Sequence, residues 1–358
     1  MRLSRRAALR AAPALALLGH GLPVLAERPE RPQLSLAVGG KTALCYLPLT
    51  VAEQLKFFAA EGLEVELQDH ASGARAEQAL IQGQADLAAG AFEHTIVLRQ
   101  RGYSARAFVF LGRAPQLVFG VSQRTLREFL HPVQLRGRRI GVSAPESYSH
   151  WFARMALTRA GVAPAEVEFV AVGTSTAAVA ALREGRIDAI VNFDPVISQL
   201  EAHGDIRLLW DTRTLRGTQE LFGGPMPGGS VYAPQDFVLR HPRTVQAMAN
   251  ALVRALKWLQ TASPSDIVRA VPEAYMHGDR AIYLAAFEKS REALSPDGMG
   301  IERAIQNAHA AAAQFGLQQQ PAVRPPAPGA TYTNEFVLRA RQRVQAMLWA
   351  GGGGGLRI

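Results

Sequence analysis

Two kinds of apolar spacing alternate along the first third of the chain. "LSLAVGG" (34–40) is a short apolar run of strand type. "TVAEQLKFFAAEG" (50–62) carries Val51, Leu55 and Phe58 at helical spacing and stops at Gly62. "LEVELQ" (63–68) alternates as a half-buried strand does. "RAEQALIQG" (75–83) predicts a short helix ended by Gly83, and "ADLAAG" (85–90) a third strand. The same order returns 102 positions later without a gap. "RIGVSA" (139–144) is strand-like, 148–160 helical, "VEFVAV" (167–172) strand-like, 176–184 helical and "DAIVNF" (188–193) strand-like. "ALIQGQADL" (79–87) faces "ALREGRIDA" (181–189), and Tyr46 faces Tyr148.

Strands alternating with helices predict parallel sheets with crossover helices, whose ligands bind beside the carboxyl ends of the strands. Two copies predict two such sheets. Between them, 107–125 reads as two strands, the second leaving the first lobe. After the second copy, the Gly/Pro-rich stretch 222–238 is chain-reversal material in which "GSVYA" (229–233) is a return strand. Both crossings are hinge candidates. From 241 onward the pattern is helical. Val245, Met248, Leu252, Leu256 and Leu259 share one face, helices follow over 278–294 and 300–315, and a last one over 333–350 is capped by Thr333. A Pro-rich stretch (318–330) precedes that helix, and the glycines from 351 form a flexible tail over 351–358. The expected division is a first lobe of 33–120 plus 225–350 and a second of 121–224. The fold class is α/β: two mainly parallel sheets flanked by helices, with a hinge between lobes.

Composition narrows the function. The 358 residues are 48% hydrophobic and 19% charged, enough for two domains with real cores. Net charge is +9, but four of those charges, Arg2, Arg5, Arg6 and Arg10, precede any acid. The remaining +5 is spread out with no basic run interleaved with aromatics, which argues against nucleic acid as a partner. The basic start, the apolar stretch from Ala11 and the compact Val24-Leu25-Ala26 form an export signal with cleavage expected near Ala26. Ser4-Arg5-Arg6 with Leu9 favours the twin-arginine route over the general secretory one. The mature chain is then expected in the periplasm as a monomer. Cys45 is the single cysteine, so neither an internal disulfide nor a multi-cysteine metal site can form. No P-loop, H-E-x-x-H, G-x-S-x-G or dinucleotide fingerprint is present, which points to no cofactor and to a binder instead of an enzyme.

Five phrases in order, "LPLTVAEQLKFFAAEGLEVEL", "ALIQGQADLAAGAFEHT", "GRRIGVSAPESYSHWFARMAL", "ALREGRIDAIVNFDPVI" and "LSPDGMGIERA", resemble the nitrate/sulfonate/taurine-type periplasmic solute-binding proteins of ABC importers. Binding proteins for thiamine-pyrimidine precursors are close relatives. The resemblance covers about 34 to 350. It implies a two-lobed type II periplasmic-binding-protein fold that closes by hinge bending on a ligand between the lobes. The implied partners are a membrane permease and its ATPase. A sensory role for the same binding unit and a thiamine-pyrimidine synthase chemistry are the rival readings; the latter leans on a cysteine-rich motif that one cysteine cannot supply.

The resemblance places ligand contacts in the turn 41–47, where Thr42, Cys45 and Tyr46 supply two hydroxyls and a thiol. It also makes "SAPESYSHW" (143–151) the loop that holds an anionic head group at a helix start, with Ser147, Ser149 and the following N–H groups as donors, while His150 read by itself either donates to ligand, pairs with Glu146 or is structural. Glu146 and Tyr148 depart from the small residues expected of sulfonate binders there. From the residues themselves, Ser72 either caps the following helix or meets ligand. Gly90 and Ala91 form a small strand end that ligand can approach. Thr174 repeats the Ser72 turn. Asn192 offers donors and acceptors, Asp194 either caps a helix or binds an amino group, and Arg113 is the one ligand-facing cation proposed. The shared Asp86 and Asp188 read as turn residues, so ligand contacts are expected where the copies diverge, at 90–92 and 192–194.

Overall fold

The computed structural model describes residues 28–314 and 327–350. The export signal, most of the Pro-rich stretch and the glycine tail lie outside the described residues. The first copy builds β1 (Gln33–Gly39), α1 (Leu47–Gln54), α2 (Phe57–Ala60), β2 (Glu64–His70), α3 (Gly73–Ile81), β3 (Leu87–Ala91), α4 (Glu93–Gln100) and β4 (Ala105–Phe110). The second builds β5 (Val118–Ser122), β6 (Arg139–Val142), α5 (Tyr148–Arg159), β7 (Glu168–Ala171), α6 (Thr176–Arg183), β8 (Ala189–Asn192), α7 (Val196–Ala202), β9 (Ile206–Asp211) and α8 (Leu215–Phe222). The return strand is β10 (Gly229–Pro234). Helices α9 (Gln235–Arg240), α10 (Pro242–Thr261), α11 (Pro264–Ala270), α12 (Arg280–Ser290), α13 (Glu302–Gln314) and α14 (Glu335–Ala350) follow.

The strands form two mixed five-stranded sheets, in the orders β2-β1-β3-β10-β4 and β7-β6-β8-β5-β9. Under the 102-residue offset, β1, β2 and β3 correspond to β6, β7 and β8, so the two orders are the same order. The fourth position in each sheet is an antiparallel strand that comes from the far side of a crossing. β10 runs against β3 and β4, and β5 against β8 and β9. The two crossing segments lie together: Gly228 N donates to Gly112 O at 3.0 Å, and Leu111 N to Gly229 O at 2.7 Å. Every residue of β3 and β5 is buried, because both strands are covered on both faces.

Two expectations need correction. The helix expected over 50–62 is two helices, because Lys56 adopts the left-handed conformation (φ 60°). The break lets the adjacent Phe57 and Phe58 both reach the core, which one straight helical face cannot do. The helix expected over 278–294 ends at Ser290 and continues as a 3-10 turn, Arg291–Ala293. Elsewhere the offsets are one to three residues. Helix α10 buries Val245, Met248, Leu252, Leu256 and Leu259 as its spacing requires. Thr333 Oγ1 accepts from Glu335 N at 3.3 Å at the start of α14. Among the described residues, no helix is long and apolar enough to cross a membrane.

Candidate functional site

The carboxyl ends of β1, β3 and β6 face one another across the two sheets, and the segments that follow them enclose two adjoining cavities. The larger is about 530 Å³ and lies between α3 and α4 on one side and residues 144–154 on the other. That is within the size range of small-molecule sites. The smaller, about 20 Å³, reaches inward to Cys45, Tyr46 and Ala91 and has room for about one water. His94, Ser147 and Tyr148 line both.

Helix α4 begins immediately after β3, so Glu93 and His94 are delivered straight from a buried strand end into the space between the sheets. Glu93 is 2% exposed. Its Oε1 accepts from the Tyr148 hydroxyl of the second copy at 3.2 Å, while Oε2 has no partner among the described residues. Burial pushes the Glu93 carboxyl up to about 8, against the lowering effect of its hydrogen bonds. His94 Nδ1 lies 3.2 Å from the Tyr232 hydroxyl, and Nε2 is without a partner among the described residues. Burial, and then the Arg101 charge, lowers the imidazole to about 4. It is therefore neutral at pH 7, and its 3.7 Å approach to Glu77 is not an ion pair. Glu77 is pushed up to about 7 by burial, which outweighs Arg101.

The opposite wall comes from α5. Its N-cap Ser147 accepts from His150 N at 3.4 Å, and the hydroxyls of Ser143, Ser147 and Ser149 lie within 2.8–2.9 Å of one another. The rings of Tyr148 and Trp151 stack at 5.3 Å with 15° between planes. Trp151 Nε1 is a buried donor with no partner among the described residues. At the rim, Arg101 reaches Glu77 at 3.5 Å and, across the cleft, Glu146 at 3.3 Å. Arg75 and Arg154 also line the cavity, and their guanidinium groups make no ion pair among the described residues. The depth thus holds neutral or protonatable groups and the rim holds cations.

Seven of the thirteen residues singled out in the sequence line these cavities. Ser72 and His150 line the larger, Cys45, Tyr46, Ala91 and Ser149 the smaller, and Ser147 both. Six are not brought there. Thr42 sits half-buried in the turn after β1, outside both linings. Gly90 is closed off by its own chain: a Cβ there would lie 2.7 Å from His94 Nδ1 and 3.2 Å from the Tyr232 hydroxyl. The glycine therefore makes room for an imidazole and not for ligand. Arg113 turns away, its Nε donating to Glu292 O at 2.8 Å. Thr174 packs on the first copy, its Oγ1 2.1 Å from where a Cβ on Gly40 would stand. Asn192 is satisfied locally, donating to Gly173 O and accepting from Phe193 N, both at 2.9 Å. Asp194 accepts from Ser198 N, Ser198 Oγ, Ser290 Oγ and the fully buried Arg213. It is a structural carboxylate that also ties the copies, since Leu44 N donates to Asp194 O at 2.9 Å. Phe92 is core, 5.3 Å from the Phe110 ring.

Sequence reasoning passed over Glu93, His94 and Trp151. The available signal was an adjacent Glu-His immediately after an apolar strand, a position where a solvated pair is unexpected. Cys45 carries no sign of activation: its thiol is fully buried and burial raises its pKa far above the ordinary value. Among the described residues no group of three or more His, Cys, Asp or Glu is placed to hold a metal ion.

A family model, NMT1-like family, matches residues 27–271. The chain belongs to the NMT1-like family. A solved protein of Bordetella bronchiseptica RB50 is 46% identical over 89% of this chain and 100% of its own, with a TM-score of 0.86. The fold is shared with the alkanesulfonate-binding protein SsuA of Xanthomonas axonopodis pv. citri, solved with MOPS (19% identity, 84% of this chain and 99% of that one, TM-score 0.64). It is shared equally with the periplasmic nitrate-binding protein NrtA of Synechocystis PCC 6803 (12%, 89% and 90%, TM-score 0.70). The desulfurization enzyme DSZB has it too (16%, 87% and 99%, TM-score 0.60), so the fold alone does not separate a binder from an enzyme. No curated protein matches the chain.

Proposed function

We propose that this NMT1-like chain is the exported solute-binding component of an ABC importer. It acts as a periplasmic monomer that takes a small aromatic carboxylate or sulfonate between its lobes and hands it to a permease and ATPase. The lobes are 33–120 plus 225–350 and 121–224, with the paired crossing segments as the hinge. One observation carries the ligand class. Trp151, whose buried Nε1 has no partner among the described residues, the Tyr148 ring stacked on it, and Arg75 and Arg154, whose guanidiniums make no ion pair among the described residues, all line a single cavity of about 530 Å³. A planar ring fits against the aromatic pair, and its acid group meets donors and cations. The buried, unactivated Cys45 supports binding without turnover.

A second reading has a specific observation behind it. An ionised Glu93 would accept from the amino group of an aminopyrimidine. A thermal-shift and calorimetric screen of benzoate, benzenesulfonate, nitrate and an aminopyrimidine separates the two. Benzoate or benzenesulfonate at 100 times its Kd is expected to add about 2.7 kcal/mol and raise the melting temperature. Replacing Arg154 by alanine should weaken that binding by roughly 10-fold or more, the worth of a charge-assisted hydrogen bond. A melt shifted by the aminopyrimidine alone contradicts the anion reading, and turnover of any of these compounds contradicts the binder.

A further inference from the structure

Glu93 is the least explained group in the molecule. It is 2% exposed, at the first turn of α4, and points into the space between the copies. One oxygen takes the Tyr148 hydroxyl; the other is buried beside the cavity that Glu93 lines and has no partner among the described residues. Among the described residues no cation pairs with it, and Arg101 is committed to Glu77 and Glu146. An ionised carboxylate so placed has one oxygen without a partner and no counter-charge among the described residues, whereas the carboxylic acid has a free O–H to give.

Resting on the anion reading above, we propose that Glu93 is a specificity-determining contact that keeps its proton and donates a hydrogen bond from Oε2–H to the acid group of the ligand. The ligand oxygen completes the hydrogen bonding of the carboxylic acid, and the acid supplies a donor without adding a negative charge to the site. A ligand that presents only donors gains nothing from it. No bond to carbon is made or broken. Where Glu93 is ionised in the free protein, binding takes one proton from solvent: carboxylate, anion and proton combine to the acid–anion pair.

The other charged or titratable groups around the cavity do not produce this effect. Arg75 on α3, Arg101 at the C-terminal end of α4 and Arg154 on α5 are the cations that line the cavity. His94 lies near 4 and is neutral throughout the range, and His150 is likewise lowered by burial. Tyr148 and Tyr232 are raised by burial beyond it. Glu146 is on the rim with Arg101. Glu77 lies near 7, below the Glu93 value of about 8, so the two are separable.

The test is calorimetry of the full-length mature protein with the tighter-binding of benzoate and benzenesulfonate, from pH 6.5 to 9.5, in buffers of differing ionisation enthalpy. Affinity should begin to fall near pH 8 and approach a tenfold loss per pH unit above it, with about one proton taken up per ligand at pH 9. Glu93→Gln should abolish the slope above pH 8, and Glu77→Gln should keep it. The proton count on the unmodified protein decides the matter even if a variant fails to fold. Binding with no proton uptake at pH 9, or a slope that survives in Glu93→Gln, overturns the role of Glu93 and leaves the anion reading standing. Failure of both probes to bind at any pH overturns the anion reading and this inference with it.

Discussion

Glu93 and Asp188 are both carboxylates removed from bulk water, and their surroundings drive them apart. Asp188 accepts from Arg139 N, Nε and Nη2 at 3.0–3.1 Å; burial raises its pKa, but the Arg139 hydrogen bonds and charge hold it below the ordinary value. Asp86 does the same work in the first copy, accepting from Ser35 N at 2.9 Å and Ser35 Oγ at 3.1 Å. The repeated aspartates are therefore braces between strand starts, as their position before β3 and β8 suggests. Glu93 lacks such partners and is raised to about 8. The linkage follows from that sign. The native state holds the Glu93 proton over a range in which the unfolded chain has lost it. The Glu93 contribution to stability falls as pH rises from about 4.5 to about 8 and is flat above. Glu93→Gln should accordingly be the more stable protein at pH 9, by roughly 2–4 kcal/mol, with the gap closing below pH 5. Chemical denaturation at the two pH values checks this; an equal gap at both contradicts it.

Elements were legible wherever apolar spacing alone determines them. The strands and α10 follow from period and burial, and the 102-residue offset anticipated two similar sheets. What spacing could not express is where a side chain finds its partner. Asn192 and Asp194 look like ligand contacts because they end a strand, yet their partners arrive from Gly173 and from Arg213, 19 residues away in each case. The break at Lys56 was hidden because Val51, Leu55 and Phe58 fit an unbroken helix. Arg213 has the strongest element-scale role. Its guanidinium is wholly buried and binds Asp194, Asp211 at 2.7 Å and Glu201 at 2.9 Å. It joins the ends of β8 and β9 to α7, and Ser290 of α12 bonds the same Asp194 at 3.2 Å. Arg213→Met should leave a buried carboxylate without its counter-charge and cost about 3–5 kcal/mol. A loss under 1 kcal/mol in urea denaturation would mean that the network contributes little to folding.

For the molecule as a whole, two sheets of equal topology present their strand ends to one another. The contacts between them differ from side to side. Leu44–Asp194 and Gly40–Thr174 are close contacts, while Glu93–Tyr148 and Arg101–Glu146 border the open cavity. On the reading proposed above, the ligand sits on the cavity side, against the Trp151 indole. The chain has four tryptophans. The most direct test is therefore the indole N–H region of a ¹⁵N–¹H spectrum of the mature protein during titration with benzoate or benzenesulfonate, with Trp151→Phe to assign the signal. The account predicts a saturable shift of the Trp151 Nε1–H signal, in step with the calorimetric isotherm. Saturable binding that leaves the Trp151 signal unmoved would contradict it.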